Sequence, residues 1–338
     1  MTGTLTFKLG RKWKPIIIAF ALALLATVQT PIACARASSE ASEKPIIVCT
    51  TNVLGSLVEE LLGDSADVII LVRPSLCPAD YDMKPSDVYA VSKAKILFYH
   101  DIAGEKPWLQ SLINAAGNEG LIMVKVPGTY NTPEGAKQCV NIIASNLSER
   151  LSIDLTEKAS RMLNAIDKIA SKIKSDAQRL EVEKVKVICM KWQKAFIEWV
   201  GFRVVADYNP PETLSSKDVE DLVKKGMEEG VALIADNLQV SAEFGGTIAK
   251  DIGAVHVVLT NFPGAIPGTG NLSQMFEYNA EQLFEGLRKW RSTKTLMEEV
   301  KSLKDQLTIF QATTSVAAIV AIVEALWLYA GRKSRLKA

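Results

Sequence analysis

From Lys44 onward, short apolar runs alternate with longer stretches in which apolar residues recur every three or four positions. KPIIVCT, DVIILV, KILFYH and LIMVKV are continuous apolar runs, the mark of strands covered on both faces in a parallel sheet. Between them, NVLGSLVEELLG places Val53, Leu57, Leu61 and Leu62 on one helical face. PSDVYAVSKA, WLQSLINAAG (closed by Gly117) and PEGAKQCVNIIASNLSERL (Pro133 in its first turn) read as further helices. The pattern over 44–150 predicts an α/β lobe.

A different segment follows. From Leu155 to Leu180 the positions Leu155, Ala159, Met162, Ile166, Ile169, Ile173, Ala177 and Leu180 are spaced by threes and fours, with no Pro or Gly between them. That predicts one helix of ~40 Å within 151–184. A second series then begins over 185–291: VKVICM, QKAFIEWV, FRVVADY, SSKDVEDLVKKGMEEG, VALIADNL, AEFGGTIAKDI, VHVVLT, and a helix from Asn271 to about Arg291. Ser216 with Val219 lacks a capping-box Glu, although Asp218 and Glu220 suit a helix start. The fold class expected is α/β: two doubly wound parallel-sheet lobes joined by one long rigid helix, plus a C-terminal stalk and transmembrane helix.

The stalk, 292–308, carries Leu296, Val300, Leu303 and Leu307 at spacings of four and three, continued by Phe310. It is a short heptad seam that leaves self-association open. The run IFQATTSVAAIVAIVEALWLYA follows, then GRKSRLKA. As a helix, 309–331 would cross a hydrocarbon core of ~30 Å, with Trp327 and Tyr329 at an interface and the basic tail 332–338 inside. Glu324 opposes this by ~2.5–3.5 kcal/mol at the bilayer centre, and less near the end, where it can snorkel or pair with Arg332. At the other end, Lys8, Arg11, Lys12 and Lys14 precede PIIIAFALALLATV, and Ala35-Arg36-Ala37 offers a cleavage site, so 1–37 reads as a secretory signal. Cys34 keeps a lipoprotein alternative open, but Pro31 stands where a lipobox has Leu or Val. The expected product is a single-pass protein of the cell membrane with an extracellular body. A signal with such an anchor points to a cell without a confined periplasm, an archaeon.

Charge sharpens this picture. The overall +1 hides nine basic and no acidic residues in the two ends, leaving 30 basic against 38 acidic side chains between them. A body of net −8 excludes nucleic acid as its partner. Cys49, Cys77, Cys139 and Cys189 form no C-x-x-C pair, and an extracellular site permits disulfides without requiring them. Cys49, Cys139 and Cys189 read as buried small apolar residues. The sequons at Asn146 and Asn271 allow glycosylation. No nucleophile–base pair or phosphate loop appears, so no enzyme is expected and no cofactor is implied.

The residues also carry a resemblance. IIVCTTNVLGSLVEELLGD, then VRPSLCPADYDMKPSDVYAVSKAKILFYHDIAGEKPWLQSLINAAG, resembles the first lobe of the zinc- and manganese-type solute-binding proteins of ABC transporters, and the likeness runs from Lys44 to Arg291. The resemblance implies a metal held by three histidines and a carboxylate from both lobes. By spacing these ligands fall on Ala79, Gly128 and Met190, and on Thr260 or Asn261, so no ligand keeps its chemistry. No metal is therefore expected.

The candidates left for lining the cleft are Arg73, Cys77, Asp80, Asp82, His100, Tyr130, Met190, Lys191, Trp192 and Asn261. Arg73, Lys191 and Trp192 would suit an anionic or aromatic ligand, although Arg73 and Lys191 pairing with Asp80 and Asp82 is the simpler reading. His100 is placed at the cleft rim, and His256 reads as a satisfied core histidine. The function expected is an anchored, extracellular solute-binding protein that captures a small solute other than zinc or manganese and presents it to an ABC permease. The alternative is a structural or regulatory surface protein with a vestigial cleft.

Overall fold

Each apolar run of the body is a strand. In the computed structural model, which describes residues 3–4 and 44–335 with side chains to Tyr329, β1 (Ile46–Thr51), β2 (Asp67–Val72), β3 (Ile96–Tyr99) and β4 (Ile122–Lys125) make one parallel sheet in the order β2-β1-β3-β4. The sheet of β5 (Lys186–Met190), β6 (Arg203–Tyr208), β7 (Leu233–Asn237) and β8 (Val255–Leu259) repeats that order as β6-β5-β7-β8. The signal segment, its cleavage site, Cys34 and the last three residues of the tail lie outside the described residues. The strand order reverses beside β1 and beside β5, and the carboxyl ends at such switch points are where open α/β sheets hold ligands.

Helices cover both faces. The first lobe has α1 (Asn52–Leu62), α2 (Pro85–Lys93), α3 (Lys106–Ala116) and α4 (Pro133–Leu151). Thr132 caps α4 by accepting the Gly135 N–H at 3.3 Å, and Pro133 occupies the first helical position. The second lobe has α6 (Lys194–Val200), α7 (Ser216–Glu229) and α8 (Phe244–Ile252). The cap of α7 lies one residue earlier than Ser216: Ser215 accepts the Asp218 N–H, and the Asp218 carboxylate accepts the Ser215 N–H. Asp thus completes the capping box that a missing Glu seemed to deny.

The connecting helix α5 (Thr156–Arg179, 24 residues) is ~36 Å long. Its buried stripe of Met162, Ile166, Ile169, Ile173 and Ala177 belongs to one apolar cluster that continues from Ile47 and Cys49 in β1 to Val187 and Leu233 in β5 and β7. Polar ties back it up. Lys158 donates to the Leu61 carbonyl at 2.7 Å and Asp167 pairs with Lys137 at 2.7 Å on the first-lobe side. Lys172 pairs with Glu277, and Lys174 donates to the Trp199 carbonyl, on the other. The outer face of each sheet has its own smaller cluster.

The last helix differs most from expectation. Lobe helix, stalk and candidate span are one unbroken α9, Leu272–Arg335, 64 residues and ~96 Å long. Asn271 accepts the Gln274 N–H at its start, at 3.0 Å. Leu272, Met275, Phe276, Leu283 and Leu287 pack into the second lobe, and Arg291 donates to the Leu180 carbonyl at 2.8 Å. Beyond Arg291 every described side chain is exposed. One 18-residue window of α9, exposed throughout, has a mean hydropathy of 1.8, which by length and composition is enough to cross a membrane.

Leu296, Val300, Leu303, Leu307 and Phe310 all face solvent along the stalk. Unpaired a/d stripes associate, so a chain ending at Gln311 is expected to show about twice the mass of one ending at Arg291 in light scattering. Equal monomer masses would make the seam a lone spacer.

Candidate functional site

Residues that follow the carboxyl ends of both sheets line one cavity of about 660 Å³. From the first lobe come the loop Cys77–Asp80 after β2, Ile102–Gly104 after β3, and Gly128, Tyr130 and Asn131 after β4. From the second come Lys191, Trp192, Glu212, Asn237, Gln239, Asn261 and Phe262. Three hydrogen bonds cross between the lobes. Gln239 Nε2 donates to the Pro74 carbonyl at 3.0 Å, Asn131 Nδ2 to the Trp192 carbonyl at 2.9 Å, and Asn52 Nδ2 to the Pro263 carbonyl. A second groove, of about 440 Å³ beside β6 and α7, is lined by the second lobe alone.

The loop after β2 is held from behind. Trp108, in α3, donates its indole N–H to the carbonyls of Pro78 and Gly104, at 2.8 and 2.9 Å, and packs its ring on Tyr81. Gly104 permits this contact, because a Cβ there would meet Ala79 N at 3.0 Å. Tyr81 in turn donates to Asp87 at the start of α2. The Tyr of this loop therefore helps set its shape, and its cavity face is formed by Cys77, Pro78, Ala79 and Asp80.

Of the residues predicted for the cleft, Cys77, Asp80, Tyr130, Lys191, Trp192 and Asn261 line the cavity. Arg73 and Asp82 do not: both are exposed outside it. The expected pairing of Arg73 and Lys191 with Asp80 and Asp82 is also absent among the described ion pairs; instead Asp80, Lys191 and Glu212 stand exposed at the mouth. Met190 turns away from the cleft. Its side chain joins Ile188, Tyr208 and Ile234 in the outer cluster of the second lobe, and Sδ accepts the Trp192 N–H at 3.3 Å.

His100 is not at the rim but buried behind the cavity wall. It packs on Tyr130, ring centroids 5.0 Å apart, with Nδ1 3.1 Å from the Val126 carbonyl. The Glu105 carboxylate beneath it accepts the His100 N–H at 2.9 Å and the Thr50 hydroxyl. Tyr130 then stacks toward Phe262 of the second lobe, with centroids 6.4 Å apart. All four cysteines among the described residues are buried and unpaired, and burial raises the Cys77 thiol. His256 is half-buried and tied to the buried carboxylate of Asp236 at 2.9 Å.

What sequence reasoning missed is the amide floor. Asn237 ends β7, and Gln239 follows two residues later; both are buried. Gln239 is fully engaged: Nε2 also donates to Thr260 Oγ1 at 2.8 Å, and Oε1 accepts the Asn261 N–H at 3.0 Å. Asn237 and Asn261 are not. Asn237 Nδ2 and Asn261 Oδ1 are buried without a partner, as are Thr51 Oγ1, His100 Nε2 and both amide atoms of Gln193. Each such atom costs ~1–3 kcal/mol when nothing satisfies it. All lie at, or within three residues of, the carboxyl ends of β1, β3, β5, β7 and β8. The signal was present in ADNLQ and LTNF, where polar residues close an apolar strand at a sheet's ligand-binding edge.

Residues 47–286 match the family described as zinc-uptake complex component A, periplasmic (ZnuA). The chain belongs to the ZnuA family. It is 25% identical to the metal ABC transporter substrate-binding lipoprotein SsaB of Streptococcus sanguinis, over 80% of this chain and 99% of that protein. It is 23% identical to the manganese ABC transporter substrate-binding lipoprotein PsaA of Streptococcus anginosus, over 79% and 98%. In fold it is similar to the periplasmic zinc-binding protein TroA from Treponema pallidum, with a TM-score of 0.64 at 16% identity, over 72% of this chain and 99% of that one. A Mn-bound periplasmic metal-binding protein from Candidatus Liberibacter asiaticus gives 0.63 at 12% identity, over 72% and 100%. The relatives are substrate-binding proteins rather than enzymes, and they are bacterial, so they lend no support to an archaeal source.

Within the ZnuA frame, the positions that resemblance assigns to metal ligands are otherwise occupied. Ala79 offers a methyl group. A Cβ at Gly128 would meet Ile102 Cγ2 at 2.7 Å, so an isoleucine fills that space. Met190 faces the outer core, and the Thr260 hydroxyl is spent on Gln239 and Phe262. Among the described residues no three His, Cys, Asp or Glu side chains converge to hold a metal.

Burial lowers the His100 imidazole to about 4, against about 6.5 in an unfolded chain. As pH falls the unfolded state therefore takes up the proton first. The contribution of His100 to stability is intact above pH ~6.5 and lost as pH falls through about 4. Glu105 acts with the opposite sign, because burial raises its carboxyl and its contribution fades as pH rises. His100→Asn is expected to remove about 2 kcal/mol of the stability lost between pH 7 and pH 5. Urea unfolding of both proteins at the two pH values measures it; parallel losses would show that His100 does not set the slope.

Proposed function

We propose that the protein is the solute-binding component of an ABC-type uptake system, tethered to the cell membrane by α9 with its body outside. It closes two lobes over a small solute that is not a zinc or manganese ion. The observation that carries this is the cavity between the lobes. Both lobes contribute to it, three hydrogen bonds tie them around it, and buried polar atoms at its floor await a partner. Membership of the ZnuA family supports the transport role, and an ABC permease is the partner it implies. The fully exposed apolar window of α9 supports the tether, in place of the lipid anchor in the relatives' names. A vestigial cleft fits less well, since a cleft without a ligand gains nothing from unpaired amides in its floor.

A tight Zn²⁺ site needs about four N, S or O ligands with support behind them. Calorimetry on chelator-treated full-length protein in detergent is expected to show micromolar or weaker binding of Zn²⁺ and Mn²⁺, changed less than about twofold by Asp80→Ala. A nanomolar one-to-one isotherm, lost on changing Asp80 or Cys77, would mean that the site had been rebuilt from new ligands.

Topology has its own test. Protease added to intact cells is expected to release the body while a tag at the C-terminus stays protected. Antibody labelling of that tag on unpermeabilised cells would reverse the orientation.

A further inference from the structure

The buried wall of the cavity carries no ionised side chain. Asp80, Lys191 and Glu212 are its charged residues, and all three are exposed at the mouth, where water and salt screen them. A charged ligand drawn into the floor would leave its solvation without a buried partner of opposite sign. The floor is instead built of neutral amides and rings. Asn237 Oδ1 is fixed by accepting the Gln239 N–H at 3.0 Å, which leaves Nδ2 as a free donor on a side chain with no exposure. Asn261, 9% exposed, presents a free acceptor in Oδ1. Gln239 between them is spent on the protein and holds the frame.

The shape of the cavity narrows the class further. Its 660 Å³ is of the size that small organic ligands occupy, far beyond what one ion fills. On one wall Ala79 offers only a methyl group, and Ile102 occupies the space beside Gly128. Trp192 sits at the mouth, 41% exposed, with its backbone held by Asn131, and Tyr130 and Phe262 lie deeper. Aromatic faces beside paired donors and acceptors accommodate a ring that is apolar on its face and hydrogen-bonding at its edge.

We infer that the cavity takes an uncharged organic solute with a ring-shaped apolar face and both donors and acceptors on its edge, contacted by Asn237 and Asn261. Neutral sugars and nucleosides share this chemistry. The inference rests on the reading that the cleft captures a solute at all.

The test uses full-length protein in detergent, followed by tryptophan fluorescence and calorimetry. The neutral probes are glucose, maltose, adenosine and uridine; the charged probes are glucuronate, AMP and choline; ZnCl₂ and MnCl₂ complete the set. At least one neutral probe is expected to bind one-to-one, and the sugar and nucleoside arms tell the two sources apart. Asn261→Ala removes a side chain with no described hydrogen bond, and Asn237→Asp keeps the oxygen that Gln239 needs. Each is expected to weaken the neutral probe tenfold or more; the thermal midpoint of the ligand-free protein stays in place for Asn261→Ala, whereas Asn237→Asp, which buries a carboxyl, lowers it. Neutral binding indifferent to both variants would overturn the assignment to this floor. Binding by charged probes alone, lost in the same variants, would overturn the ligand class but leave solute capture standing. Silence from every organic probe, or nanomolar metal binding in their stead, would overturn both.

Discussion

Everything about the cleft depends on one helix having a single apolar face that serves two lobes. The stripe from Met162 to Ala177 is buried along ~36 Å, and the cluster it belongs to reaches the inner face of both sheets. Rotating one lobe against the other would expose part of that shared core. At ~25 cal/mol per Å² of apolar surface, large hinge motions are strongly opposed. Any relative motion of the lobes is thereby confined to small adjustments at the three hydrogen bonds between them, in the manner of packed elements that slide rather than swing.

That rigidity gives the substitutions in the cleft their meaning. Neither lobe is free to collapse inward over missing side chains, so the space left by Ala79 remains space, and that beside Gly128 is filled only where Ile102 reaches it. A metal site needs charge and lone pairs converging on a point. This cavity offers hydrogen-bonding atoms spread over a surface, with ionised groups confined to the entrance. Under the proposed function the same scaffold carries a different kind of chemistry, which is the ordinary relation between fold and function.

The sequence was legible where burial is two-sided. Continuous runs such as IIVCTT and LIADN can only be central parallel strands, and the threes-and-fours spacing of α5 has no competing reading. It was less legible where a strand ends. Alternation along β5 places Cys189 and Met190 on opposite faces, but not which face meets the cleft; the turn at Lys191–Gln193 takes Met190 to the outer core and brings Lys191 and Trp192 to the cavity. His100 looked exposed because it precedes a loop, yet that loop folds back to place Glu105 under its backbone. Arg73 and Asp82 belong to the right loop on its wrong side. Asn237 drew no notice, since polar residues closing an apolar run are indistinguishable from an ordinary turn until Gln239 is seen reaching Pro74.

The continuity of α9 has a consequence for how the body meets anything embedded in the bilayer. Its first five turns are core of the second lobe, and no break separates them from the apolar window. If that window lies in the membrane, the body is not a ball on a string. About 18 residues between Arg291 and Phe310 act as a strut of ~27 Å, which sets the height of the cleft above the lipid. A partner in the same bilayer then faces a search in two dimensions at nearly constant elevation. The entropy of orienting the second lobe is lost once, when the chain folds, and not at each encounter.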